Sequence, residues 1–190
     1  MQHSRPDGPT TLGADLRALR KSRGLTLIDM ADTLGRSVGW LSQVERDISE
    51  PSITDLRHIA AALDVSISML FRHAAAPAHE AGHVVRRDAR RTIGSHMAGL
   101  VEELLSPDLT DDFEMVHSTF QPRSRIKEAV TRPTQEVGYV LSGKLEIEIA
   151  GLTHLINPGD SFRIRGEPFR WSNPFDGPAV AIWVIAPPVY

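Results

Sequence analysis

Residues 132–149 read RPTQEVGYVLSGKLEIEI, and this stretch decides the fold of the second half of the chain. From Lys144 onward apolar and charged residues alternate strictly. Leu145, Ile147 and Ile149 share one face, and Lys144, Glu146 and Glu148 share the other. A period of two marks a half-buried strand. Val137–Leu141 reads as a preceding strand, and Ser142-Gly143 supplies a tight turn between the two. The stretch contains no histidine, which matters for the chemistry below.

The same signals recur on both sides of it. Turn clusters stand at Ser106-Pro107-Asp108, Asn157-Pro158-Gly159-Asp160 and Asn173-Pro174. Several short strands at this spacing predict a sandwich or barrel over residues 100–190. A small barrel of this kind encloses at most one ligand, with inward and outward residues alternating.

Residues 10–73 follow a helical period instead. Leu12, Leu16 and Leu19 recur at helical spacing, with Arg17, Arg20, Lys21 and Arg23 expected on or just beyond the opposite face. Thr26, Ser37 and Ser52 are placed to cap three further helices, and Gly24 and Gly35 to end two of them. A last turn, ISMLF, makes a fifth helix. The expected organisation is a tail over 1–9, a five-helix domain over 10–73, a small and polar linker over 74–99, and the strand domain over 100–190. The chain is therefore expected to be multidomain, α + β, with the helical domain first.

A short helix, a tight turn at Gly35 and a second short helix form the helix-turn-helix arrangement, whose second helix enters the major groove. On that helix Leu41 and Val44 are expected to pack inward with Leu34 and Ile53. Val38, Gly39, Ser42, Gln43 and Arg46 then face away, and they are not the apolar set that a buried helix needs. Gln43 suits an adenine edge, Ser42 several bases and Val38 a thymine methyl. Gly39 costs about 1 kcal/mol inside a helix, a cost that close approach of backbone to DNA would account for.

Residues Leu16 to Phe71 resemble the helix-turn-helix domain of the XRE/Cro-repressor family. The resemblance rests on Arg20-x-x-Arg23-Gly24, Leu25-Thr26, Ala31, Leu41-Ser42-Gln43-x-Glu45-Arg46, Pro51-Ser52 and Ala60-x-x-Leu63-x-Val65. It implies a lambda-repressor-like domain in which Ser37, Val38, Gly39 and Gln43 approach bases. It also implies that Arg46 and the start of the second helix approach phosphates, and that Glu45 is structural. Thr26, Arg36, Ser42 and Trp40 complete the expected DNA-facing set, with packing beneath the fourth helix as the alternative place for Trp40. Leu27 departs from the glutamine that many phage-type members have at this position.

Residues Phe113 to Ile185 resemble the cupin family, a jelly-roll β-barrel, through Glu136-x-x-Tyr139-Val140-Leu141-x-Gly143, Pro158-Gly159-Asp160, Pro168 and Asn173. In metal-binding cupins two histidines precede the glutamate by six and four positions, and a third lies four before the late asparagine. The resemblance places these ligands at Val130, Arg132, Glu136 and Phe169, so three of the four are replaced. An arginine offers only donors and repels a metal ion. No metal and no cofactor is therefore expected. Arg132 is expected either to neutralise Glu136 or to hold an anionic effector, while Phe169 and Trp171 line an apolar cavity. His117 is expected to line the barrel with Met115 and Thr119. The other histidines, His3, His58, His73, His79, His83, His96 and His154, stand at no ligand spacing.

The bulk properties fit this reading. At 190 residues with 41% apolar and 24% charged side chains, the chain has room for two small folded domains. It has no cysteine, and no apolar run approaches the roughly 20 residues that span a bilayer. The start, MQHSRPDGPT, lacks the apolar core of a signal peptide. A cytoplasmic protein without membrane partners is expected. Net charge is −3, but residues 1–73 balance nine basic against nine acidic residues, while residues 100–190 carry eight against thirteen. The acidity thus lies in the strand domain and leaves the helical domain free to meet DNA.

XRE-type domains fused to a cupin form a class of bacterial regulators, which makes the expected function operator binding. A homodimer would match a palindromic double-stranded site, and the barrel would dimerise, sense a small organic effector, or both. The alternatives are an iron enzyme of the hydroxypropylphosphonate epoxidase type, which needs the missing histidines, and a cupin that only dimerises. No Ser/His/Asp or paired-carboxylate set marks a catalytic site.

Overall fold

The computed structural model describes residues 11–65, 67–70, 79–80, 82–93, 99–107, 109 and 111–189. The expected tail, residues 74–78, 81 and 94–98 of the linker, and His3, His73 and His96 lie outside the described residues. The chain divides into two compact units: a helical one running to Arg90, with Pro107 and Leu109, and a strand one comprising Arg91–Ser106 and the chain from Asp111.

The helical unit contains α1 (Leu12–Ser22), α2 (Leu27–Leu34), α3 (Val38–Val44) and α4 (Ile53–Ala62). The fifth helix is reduced to a single turn, α5 (Ile67–Leu70). The caps fall where the polar residues placed them. Thr26 and Ser52 each form a reciprocal capping box with the aspartate three residues on, and the Ser37 side chain accepts from the Trp40 amide. Each satisfies amides that the first helical turn leaves free. Gly35 ends α2 at φ 61°, a left-handed conformation that permits the sharp turn into α3. The core gathers Leu16, Leu19, Met30, Leu41, Ile59 and Leu63, all without solvent exposure.

Two expectations for this unit are corrected. Arg20 is not on the solvent face. It is buried, and its guanidinium pairs bidentately with Glu45 at 2.6 and 2.8 Å while donating to the Leu25 carbonyl. Ile53 is 63% exposed, and Leu56 takes the inward place instead. Ile53 opens α4 directly after the cap, so its side chain projects from the first turn away from the core.

Among the described residues the strand unit has ten strands in two antiparallel sheets. They are β1 (Arg91–Ile93), β2 (Leu100–Leu104), β3 (Glu114–Phe120), β4 (Ser124–Arg125), β5 (Gln135–Ser142), β6 (Leu145–Ile149), β7 (Leu152–Ile156), β8 (Ser161–Arg165), β9 (Phe169–Asn173) and β10 (Ala179–Ala186). The larger sheet runs β1-β2-β3-β10-β5-β8 and the smaller β4-β9-β6-β7. β1 falls inside the stretch read as linker, where it pairs with β2 from Arg91↔Leu104 to Ile93↔Glu102.

The alternation of the opening stretch is realised: Leu145 and Ile147 are fully buried, and Ile149 partly. Between the sheets five aromatic rings interlock. Phe120 meets Trp171 edge-on at 4.9 Å, Phe162 meets Trp183 at 4.9 Å, and Phe169 lies 5.9 Å from Trp183. Such rings bury 150–250 Å² each and dominate a core of this size. Gly138 makes room for them, because a Cβ there would stand 2.1 Å from the Phe162 ring.

Candidate functional site

The first candidate surface is α3. Leu41 and Val44 are buried, while Val38, Gly39 and Gln43 are exposed and Ser42 is half-exposed. A Cβ at Gly39 would meet nothing within 4 Å, so this part of the helix presents bare backbone outward. The Arg46 guanidinium is steadied by donation to the Ser42 carbonyl at 3.1 Å and remains exposed. The Gln43 carbonyl accepts from the amides of Arg46 and Ile48, which turns the chain sharply after α3 and leaves its side chain outward.

The ends of α3 are held rigidly. At its start Arg36 bonds Asp55 at 2.5 Å and lies 5.0 Å from the Trp40 ring centroid. Asp55 also closes the Ser52 capping box. Its carboxyl is pushed down to about 2, mainly by the Ser52 hydroxyl and then by Arg36. Trp40 is thus half-exposed beneath a guanidinium, with its packing face toward Arg36. At the other end Glu45 caps α3 and carries the buried pair to Arg20 on α1. The hydrogen bonds to Glu45 raise the Arg20 pKa against the opposing pull of burial. Of the expected DNA-facing set, the Thr26 hydroxyl is engaged by Asp29 and the Ser37 hydroxyl accepts from the Trp40 amide.

The second candidate is the interior of the strand unit, and here the structure departs from expectation. On β3 the buried residues are Glu114, Val116, Ser118 and Phe120. His117 is therefore not a lining residue. It lies with Met115 and Thr119 on the outer face, and its Nδ1 is 3.5 Å from Glu103. A one-residue choice of parity moves a whole strand face, and the polar Glu114 and Ser118 disguise which set is inward.

Arg132 and Glu136 do not pair with each other. Glu136 is 1% exposed, and its two oxygens accept from Thr134 Oγ1 at 2.7 Å and Trp183 Nε1 at 2.8 Å. Arg132 is half-buried, and its charge acts instead on Glu102 and Glu114. Burial pushes the Glu102 carboxyl up, opposed by Arg132 and by a Ser118 hydroxyl 3.4 Å away. Burial likewise pushes Glu114 up to about 7. One Glu114 oxygen accepts from the Val189 amide and the other is buried without a partner. Phe169 and Trp171 are 5% and 4% exposed and belong to the interlocked rings, so they fill the interior of the strand unit.

A groove of about 860 Å³ lies elsewhere, over the outer side of the smaller sheet, between Arg125, Lys127, Glu146, Thr153 and Arg170. Arg170 there is paired with Glu148 at 2.5 Å. Nothing in the sequence pattern distinguished these residues from an ordinary solvated strand face.

With the geometry in place, the chain compares with known families as follows. The helix-turn-helix domain model matches residues 11–70, and the cupin domain model matches residues 116–185. The chain thus joins a helix-turn-helix domain to a cupin domain that follows it. The immunity repressor protein of Bacillus phage phi105 is 35% identical over 60 residues, which are 32% of this chain and 42% of the repressor. The HTH-type transcriptional regulator SinR of Bacillus subtilis is 35% identical over 60 residues, 31% of this chain and 54% of SinR. The transcriptional regulator ClgR of Mycobacterium tuberculosis is 39% identical over 59 residues, 31% of this chain and 53% of ClgR. The chain thus spans about half the length of the curated relatives it matches.

Among solved structures, an HTH_3 family transcriptional regulator from Vibrio cholerae matches at 24% identity and a TM-score of 0.45, covering 94% of this chain and 96% of that one. Hydroxypropylphosphonic acid epoxidase from S. wedmorenis matches at 18% identity and a TM-score of 0.46, covering 95% and 99%. Neither likeness assigns an activity to this chain.

Within the cupin domain two of the four positions that the family gives to metal ligands come together. Val130 and Phe169 exchange two backbone hydrogen bonds at 2.8 and 2.9 Å. The side chains at the four positions are an aliphatic, an aromatic, a half-buried cation, and a carboxylate whose oxygens both accept hydrogen bonds. This donor set does not fit a metal ion, which needs several free lone pairs. Among the described residues no group of three His, Asp or Glu side chains could hold one, and no helix is long and apolar enough to cross a membrane.

Proposed function

We propose that the protein regulates transcription by binding operator DNA through α3, as a homodimer joined through its cupin domains. The carrying observation is the division of α3 itself. Its inward residues are apolar and buried, while Gln43, Ser42, Gly39 and Val38 are left outward beside Arg46. These are side chains that read base edges, next to one that neutralises a phosphate. Two such helices related by a two-fold axis read a palindromic site with half-sites about one helical turn apart. Arg36 and Trp40 support the reading by stiffening the start of α3 through Asp55.

The cupin domain serves as a metal-free scaffold in this account. Its effector is a small organic molecule bound at the Arg132 end of the barrel. Glu136, Phe169 and Trp171 are committed to the core and His117 to the outer face. The epoxidase-type alternative fails on chemistry: its ligands would have to be Val130, Arg132 and Phe169.

Fluorescence anisotropy of the full chain on its selected DNA site tests the recognition helix. Gln43→Ala should weaken that site about 10- to 100-fold and leave random DNA nearly unaffected. Arg46→Ala should weaken all sequences alike and lower the slope of log affinity against log salt by about 1. Unchanged binding in both variants removes α3 from the interface.

A further inference from the structure

We propose that the Arg132 end of the strand unit binds an organic cation that carries N–H donors, a primary ammonium or a guanidinium, with the Glu114 carboxylate as its anchor. This deepens the effector reading above and rests on it. It names the chemical class of the molecule and the groups that hold it.

The strand register places these groups. On β3 both Glu114 and Ser118 face inward. Ser118 stands opposite Glu102 of β2, while Glu114 stands opposite Ile185 of β10, which in turn is opposite Glu136 of β5. Residues opposite each other in a sheet share a face, so Glu102, Glu114 and Glu136 all lie on the inner side of the larger sheet. Arg132 precedes β5, and its charge acts on Glu102 and Glu114 without a hydrogen bond to either. Burial grades through the group. Ser118, Glu114 and Glu136 are at most 1% exposed, whereas Glu102 and Arg132 are half-buried. Glu102 and Arg132 therefore form a rim, and Glu114 lies below it.

The hydrogen bonds show which member of the group lacks a partner. Both Glu136 oxygens are taken, by Thr134 and Trp183. Glu114 accepts from the Val189 amide through one oxygen, and its other oxygen is enclosed with no hydrogen-bond partner. Folded proteins rarely leave a buried acceptor in that condition, because it forfeits its hydration for nothing. What the oxygen lacks is a donor. Charge decides what kind of donor. Three carboxylates face one guanidinium, so an anion would add a fourth negative group to a site shielded from water, with Arg132 alone to answer it. A neutral hydroxyl would supply a donor and leave the charge uncompensated. An N–H cation supplies both, in the charge-assisted bond that is the stronger kind. The Ser118 hydroxyl donates to Glu102 at 3.4 Å and keeps lone pairs with which to accept a further N–H.

Titration of the isotope-labelled full chain, followed by NMR, tests the proposal. The probes are n-butylammonium chloride, tetramethylammonium chloride and sodium butyrate. n-Butylammonium should shift the Val189 amide and Trp183 indole resonances saturably, because those N–H groups are bonded to Glu114 and Glu136. Glu114→Gln, which keeps the side-chain shape, and Glu102→Gln should each weaken this binding by about 10-fold or more. Tetramethylammonium carries the charge without an N–H and should produce no saturable shift. Tetramethylammonium binding as tightly as n-butylammonium overturns the proposal, and so does n-butylammonium binding that neither glutamate variant weakens. Saturable binding of butyrate alone, lost in Arg132→Ala, also overturns it but leaves an effector site at Arg132 standing. No saturable shift with any probe removes both, and a water then serves the free Glu114 oxygen.

Discussion

Glu45→Ala is expected to destabilise the helical domain by about 3–5 kcal/mol, which removes most of its stability. The Arg20 and Glu45 side chains are 7% and 4% exposed and bonded in two places. Removing the carboxylate leaves a guanidinium buried with only the Leu25 carbonyl to accept from it. A domain of about 60 residues sits at the low end of the usual 5–15 kcal/mol of stability. The pair also joins α1 to the C-cap of α3, so its loss removes a tie that holds that helix to the core. Replacing both partners, as Arg20→Met with Glu45→Leu, should cost far less, since no charge is then stranded. Urea unfolding followed by far-UV circular dichroism measures both. A single variant within 1 kcal/mol of wild type would contradict this role.

The second large effect concerns pH and the cupin domain. Burial holds the Glu114 carboxyl at about 7, well above its value in the unfolded chain. Between about pH 4.5 and 7 the folded chain therefore keeps a proton that the unfolded chain releases. The stability that this proton contributes is complete below the unfolded pKa and is lost as pH rises through about 7. A shift of this size corresponds to something on the order of 3 kcal/mol. Glu102 is shifted in the same direction by the same cause and adds to the trend. Glu114→Gln keeps a neutral side chain of the same shape. It should raise stability at pH 8 and flatten the decline between pH 5 and 8 in urea titrations of the cupin transition. A wild-type transition that strengthens with rising pH over this window would contradict the account.

Much of the fold was legible because the patterns that carry it are local. Period-two alternation in β6, the caps at Thr26, Ser37 and Ser52, and the turn at Gly35 all act within a few residues. The outward face of α3 was legible for the same reason. What escaped was set by partners distant in sequence. Arg20 reads as a surface cation until Glu45, 25 residues on, is brought beside it. His117 reads as lining because Met115 shares its parity, whereas the inward set contains Glu114 and Ser118. Glu136 reads as a partner for Arg132, yet its hydrogen bonds come from Thr134 next door and Trp183 on β10. The ring cluster that closes the barrel joins β3, β8, β9 and β10, and no single segment announces it.

The central claim is that α3 reads DNA sequence, and selection of bound duplexes from a random-sequence pool by the full-length protein tests it most directly. The account predicts enrichment of one motif with two-fold symmetry, its halves about one helical turn apart, and loss or change of that motif when the selection is repeated with Gln43→Ala. No enriched motif, or the same motif recovered by both proteins, would contradict it.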